Sequence, residues 1–198
     1  NDAYAKMTSI NCYRNIDEAV RNKTSYAGTI FLDDTYASAY FRKGSLAFPP
    51  YGILASSMGH EFIHMYQRDV QGKKVDTDKE KRDTGMMEFE LAFYQGIIRY
   101  IHAGYSWTFK GEDGDPSYQS LWTSGLTDPS LIPQYEREFQ TYVASICANG
   151  KPTSIDINEF VKWSNIFGEY SRGYSGKGYK FGNYDYGTSC INSLLKLY

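Results

Sequence analysis

The chain has 198 residues, of which 41% are hydrophobic and 22% charged, with a formal net charge of −2. That is the composition and size of one globular domain spanning residues 1–198, and it excludes disorder as the main state. The basic excess of a nucleic-acid or polybasic membrane-surface binder is missing, and no apolar run approaches the ~18–20 residues that span a bilayer. Residues 1–25 are polar, with a short helical stretch expected around Ile16–Arg21 and Asp17 placed to support its first turn. Thr29–Leu32 reads as a strand and Asp33-Asp34 as a turn, and Tyr36–Phe41 and Ser45–Phe48 read as further strands. Pro49-Pro50 opens a helix expected from about Pro50 to Val70, before Gly72. The charged run 71–83 reads as a solvated loop.

A second long helix is expected over about Thr84–Ala103, stopped by Gly104. Residues 105–130, with three Gly and two Pro, read as loop with short elements. A third helix covers about Ile132–Ala148, where Tyr135, Phe139, Tyr142, Val143 and Ile146 keep a 3–4 spacing. Asp156-x-x-Glu159 resembles a capping box and opens a fourth helix to about Phe167. The Gly/Tyr-rich stretch 168–187 follows, and a last short helix is expected over Ser189–Leu197. Cys12, Cys147 and Cys190 allow either one disulfide with one thiol or three buried thiols. The start at Asn1, without Met or an apolar signal core, reads as a processed piece of a longer precursor, so a secreted or cell-envelope location is expected. Asn22-Lys23-Thr24 fits a glycosylation sequon.

The informative segment is His60-Glu61-Phe62-Ile63-His64, an H-E-x-x-H inside a predicted helix. Residues i and i+4 share a helix face, so both imidazoles can point at one metal ion. Glu61 lies beside them as a general base, near enough to take a proton from a metal-bound water whose pKa zinc lowers to roughly 7. Imidazole and carboxylate donors suit Zn2+. Leu54, Met58, Phe62 and Met65 supply the apolar back of this helix.

These residues resemble the zincin metallopeptidases. The metzincin branch continues with a glycine and a third histidine, but Gln67 and Val70 stand at those positions here. The gluzincin branch instead takes a third ligand from a Glu on a later helix, and Met86-Met87-Glu88-Phe89-Glu90-Leu91-Ala92 offers one. That segment is similar to the E-F-x-A-D of membrane-embedded prenyl-protein peptidases, but Leu91 and Ala92 replace the Ala and Asp of that motif. The stretch His60–Gln67 (HEFIHMYQ) is similar to the H-E-L-I-H-x-Y-Q of poorly characterised bacterial zincin-like domains. The resemblance spans about residues 50–103. It implies a helix-rich α+β fold with a small N-terminal β-sheet and two packed metal-binding helices.

The third ligand has two candidates. Glu88 and Glu90 project about 200° apart on a helix, so they cannot both face one ion. The motif alignment favours Glu88, whereas the cost of an isolated carboxylate on an apolar stripe favours Glu90. His102 is a third candidate. The resemblance further implies a substrate-pairing strand within Tyr36–Phe48 and an oxyanion donor from Tyr170, Tyr174, Tyr179, Tyr184 or Tyr186. The leading expectation is therefore a zinc-dependent peptidase acting on peptide or protein substrates. Zn2+ would be held by His60, His64 and Glu88, with Glu61 as the catalytic residue. The alternatives are a non-catalytic zincin-like binding module, and a secreted carbohydrate- or protein-binding module suggested by the 19 Tyr.

Overall fold

A computed structural model of the chain describes residues 2–23, 29–32, 40–42, 45–49, 54–73, 81–107, 129–152, 154–170 and 190–198. The described residues are predominantly helical, with one small sheet near the N-terminus, which is compatible with an α+β chain. They fall into two compact units. The first takes the described residues up to Lys73 together with Leu197–Tyr198, and the second those from Lys81 to Lys196.

The first unit opens with helices α1 (Asp2–Thr8) and α2 (Asn11–Lys23), where only a short turn around Ile16–Arg21 is expected. The reason is a stripe at helical spacing: Met7, Ile10, Tyr13, Ile16 and Val20 are all buried. Charges cover the opposite face and make the segment read as polar. Asp17 does not open a helix. It lies within α2, nearly sealed from solvent, and accepts from Arg21 Nε at 2.9 Å and from Tyr4 Oη at 2.5 Å. Burial and the Asp17 carboxylate push the Tyr4 phenol above its ordinary value, with Arg21 opposing. Asn15 Nδ2 donates to the Leu197 carbonyl at 2.6 Å and so fastens the chain's C-terminus to this unit.

Strands β1 (Thr29–Leu32), β2 (Tyr40–Arg42) and β3 (Ser45–Phe48) form one sheet in the order β1-β3-β2. β1 runs parallel to β3 with Thr29 opposite Ser45, and β2 runs antiparallel with Arg42 opposite Ser45. Of the expected strand Tyr36–Phe41, Tyr40 and Phe41 lie in β2, which runs on to Arg42, and residues 36–39 lie outside the described residues. Leu46, Ala47 and Phe48 are buried in succession, the pattern of a strand covered on both faces.

Helix α3 (Ala55–Met65) begins five residues after the proline pair, because Leu54 is extended (φ −85°, ψ 142°). It continues as a π-helical segment, Tyr66–Val70, and closes at Gly72 in the left-handed region (φ +73°), where the breaker is expected. α3 and α2 meet closely at Gly59, since a Cβ there would lie 2.7 Å from the Tyr13 ring.

In the second unit, α4 (Lys81–His102) packs against α5 (Ile132–Ile146), α6 (Ile157–Tyr170) and α7 (Ile191–Lys196). All four helices are expected from the sequence, with ends displaced by a few residues. α6 runs through Gly168 rather than stopping at Phe167. Gly104 (φ +70°) stops α4 in a Schellman arrangement. Tyr105 N–H donates to the Tyr100 carbonyl at 2.9 Å and Gly104 N–H to that of Ile101 at 3.0 Å. The Tyr100 and Tyr105 rings meet 5.9 Å apart and cover the turn.

The centre of this unit is aromatic. Phe93 lies 5.4 Å from both Phe139 and Phe160, and Phe89 lies 5.0 Å from Phe160, in edge-to-face pairs. Gly96 lets the Phe139 ring approach, because a Cβ would lie 2.9 Å from it. Asp156 caps α6 as expected, its Oδ1 accepting from the N–H groups of Asn158 at 2.9 Å and Glu159 at 3.0 Å. Glu159 turns to Trp163 Nε1 at 3.1 Å instead of reaching back. Cys12, Cys147 and Cys190 are buried thiols rather than disulfide partners. Burial pushes the Cys147 thiol up to about 11.

Candidate metal centre

His60 and His64 stand one turn apart on α3, whose other face buries Met58, Phe62 and Met65. That burial fixes the rotation of the helix and leaves both imidazoles only partly covered. Their rings meet edge to face with centroids 4.7 Å apart. The two Nε2 atoms are 3.1 Å apart. Two imidazole lone pairs do not face each other at this range without a proton or a cation between them. Tetrahedral zinc with Zn–N near 2.05 Å sets its nitrogen ligands about 3.3 Å apart, so the pair fits such an ion.

The other ring nitrogen of His64 has its own partner. Nδ1 lies 2.8 Å from Gln67 Oε1. An amide oxygen accepts only, so this contact is a hydrogen bond donated by Nδ1–H, which in a neutral imidazole leaves the lone pair on Nε2. Gln67 is wholly buried. The sequence offers Gln67 only as the residue at the metzincin glycine position and as the end of the HEFIHMYQ stretch, with no role in the site. The available signal is its position three residues after His64, on the same helical face. Glu61, between the two His in sequence, is nearly buried at 9% exposure.

The two acidic candidates on α4 differ. Glu88 is half-buried. Glu90 is fully buried, and both its oxygens are engaged within its own unit. Oε1 accepts from the Cys190 backbone N–H at 3.1 Å and Oε2 from the Cys190 thiol at 2.9 Å. A carboxylate on an apolar stripe demands a partner, and Cys190 is one. His102 is exposed in the last turn of α4.

His60 and His64 belong to the first unit and Glu88 to the second. The donor set suits a borderline ion such as zinc. Ser45–Phe48, the strand that precedes α3, is central in the sheet, so any free edge among the described strands belongs to β1 or β2. Of the oxyanion candidates, Tyr174, Tyr179, Tyr184, Tyr186 and the side chain of Tyr170 lie outside the described residues. No described helix is long and apolar enough to cross a membrane.

No family model matches the chain, and no curated protein or solved structure matches it either.

Proposed function

We propose that the chain is a zinc-dependent peptidase of gluzincin type. The observation that carries the proposal is the convergence of His60 and His64 Nε2 to 3.1 Å on one helix face, with Glu61 between them in sequence. Glu88, which stands where the resemblance puts the third ligand, supports it further. His60, His64 and Glu88 would hold the ion. When bound, zinc acts as a Lewis acid on a carbonyl and acidifies water. The Glu61 carboxylate takes the proton of the attacking water and delivers it to the leaving amine. Its burial removes competing bulk water from the carboxylate and so favours that transfer. A peptide or protein substrate and a secreted or cell-envelope setting belong to the same proposal.

The test is zinc content per chain by elemental analysis, for wild type beside Glu88→Ala and Glu61→Gln, followed by digestion of a peptide library. One zinc in wild type, lost in Glu88→Ala and kept without peptidase activity in Glu61→Gln, is the expected result. A wild-type chain that takes up no zinc from a zinc-containing buffer refutes it. A chain that binds zinc and cleaves nothing in the library leaves the non-catalytic binding module as the better reading.

A further inference from the structure

We propose that Gln67 is a positioning residue, whose side-chain carbonyl locks His64 in the Nδ1–H tautomer and aims Nε2 at His60. Three observations carry this. Gln67 Oε1 lies 2.8 Å from His64 Nδ1, a full-strength hydrogen bond. The Gln67 side chain is completely buried, so water does not compete for that acceptor. Its backbone is held as well. Gln67 is the second residue of the π-helical segment, whose Tyr66 carbonyl accepts from Gln71 N–H at 3.0 Å. The Gln67 carbonyl itself accepts from Lys73 N–H at 3.0 Å, and α2 packs against this segment.

A neutral imidazole has one N–H and one lone pair. Placing the proton on Nδ1 makes Nε2 the acceptor atom, which is the state a metal ligand needs. Without that lock the ring is free to turn or to move its proton to Nε2, and either change removes the donor from the site. Partners of this kind typically control metal affinity 10- to 100-fold, by about that range when lost. The geometric part of the inference stands on His64 and Gln67 alone, and only its effect on metal rests on the zinc reading.

The experiment uses the whole chain with two variants. Gln67→Met keeps the volume and removes the acceptor, and Gln67→Glu keeps an acceptor oxygen. The first measurement is nitrogen NMR of the imidazoles in metal-free protein at about pH 8, above the ordinary imidazole range. Wild type and Gln67→Glu are expected to show His64 protonated at Nδ1, and Gln67→Met a shift of the proton towards Nε2. A wild-type His64 protonated at Nε2, or an unchanged tautomer in a folded Gln67→Met, overturns the inference. Should Gln67→Met not fold, Nε2 protonation in Gln67→Glu overturns it as well. The second measurement is zinc affinity by competition with a chelating dye. Gln67→Met is expected to weaken it about 10- to 100-fold, and Gln67→Glu to preserve it. Equal affinity in wild type and Gln67→Met overturns the positioning role. If wild type binds no zinc, the peptidase reading falls, and the NMR result alone decides what Gln67 does.

Discussion

Glu88 and Glu90 stand two residues apart on α4, and their surroundings differ more than their spacing suggests. Glu90 is sealed from solvent and spends both carboxylate oxygens on Cys190, one on its N–H and one on its thiol. Glu88 is half-buried, and it stands where the resemblance puts the third ligand. A buried carboxyl group with both oxygens hydrogen-bonded becomes a structural anchor, here tying the start of α7 to α4. A half-buried carboxylate keeps part of its surface open to solvent. The lesson is that burial alone marks a group that needs partners, and only the partners tell structure from function.

Removal of each carboxylate separates the two roles. Glu90→Ala empties a buried site and strands the Cys190 N–H, so urea unfolding of the metal-free protein is expected to show a loss of about 3 kcal/mol. Glu88→Ala is expected to change that stability by no more than about 1 kcal/mol, while abolishing zinc uptake. Equal stability losses would erase the distinction between the two residues.

Gly59→Ala and Gly96→Ala sharpen the same contrast at the backbone. Each added Cβ meets a ring, 2.7 Å from Tyr13 in one case and 2.9 Å from Phe139 in the other. Both are expected to cost about 1–3 kcal/mol by thermal or urea unfolding. Gly59→Ala should in addition weaken zinc binding, because it displaces the residue preceding His60. Gly96→Ala should leave zinc binding unchanged.

A smaller effect comes from Asp156→Ala, which removes the α6 cap. A loss of about 1 kcal/mol is expected, without any change in metal content.

A pH dependence is expected as well. The Cys147 thiol titrates at about 11 in the folded chain against an ordinary 9.0, because burial disfavours the thiolate. The raised value means that its contribution to stability is complete below pH 9.0 and is lost as pH rises towards about 11. Urea unfolding across that window should show the decline, and Cys147→Ala should reduce it, leaving the part that comes from the raised Tyr4 phenol.

Much of this arrangement is legible in the sequence. The apolar spacing and the Gly72 and Gly104 stops place the ends of the histidine helix and of α4, and Asp156 marks the start of α6. The His pair follows from i, i+4 spacing alone. Three features escape for physical reasons. The stripe Met7–Val20 is diluted by charged neighbours, so α1 and most of α2 read as a polar tail. The partner of Glu90 lies 100 residues away, beyond any local pattern. The bond from His64 to Gln67 depends on side-chain direction, which residue identities in a helical run do not state.

The π-helical segment after Met65 has a consequence for reading motifs. Its wider turn advances the chain by a smaller angle per residue than an α-helix does. A helical wheel drawn from His60 thus keeps its meaning only as far as Met65. Beyond it the compass drifts, and Val70, ten residues after His60, faces a different bearing from the one an uninterrupted helix would give it. In this chain a fixed-spacing signature longer than the five-residue His-to-His core measures distance along a ruler whose marks change halfway.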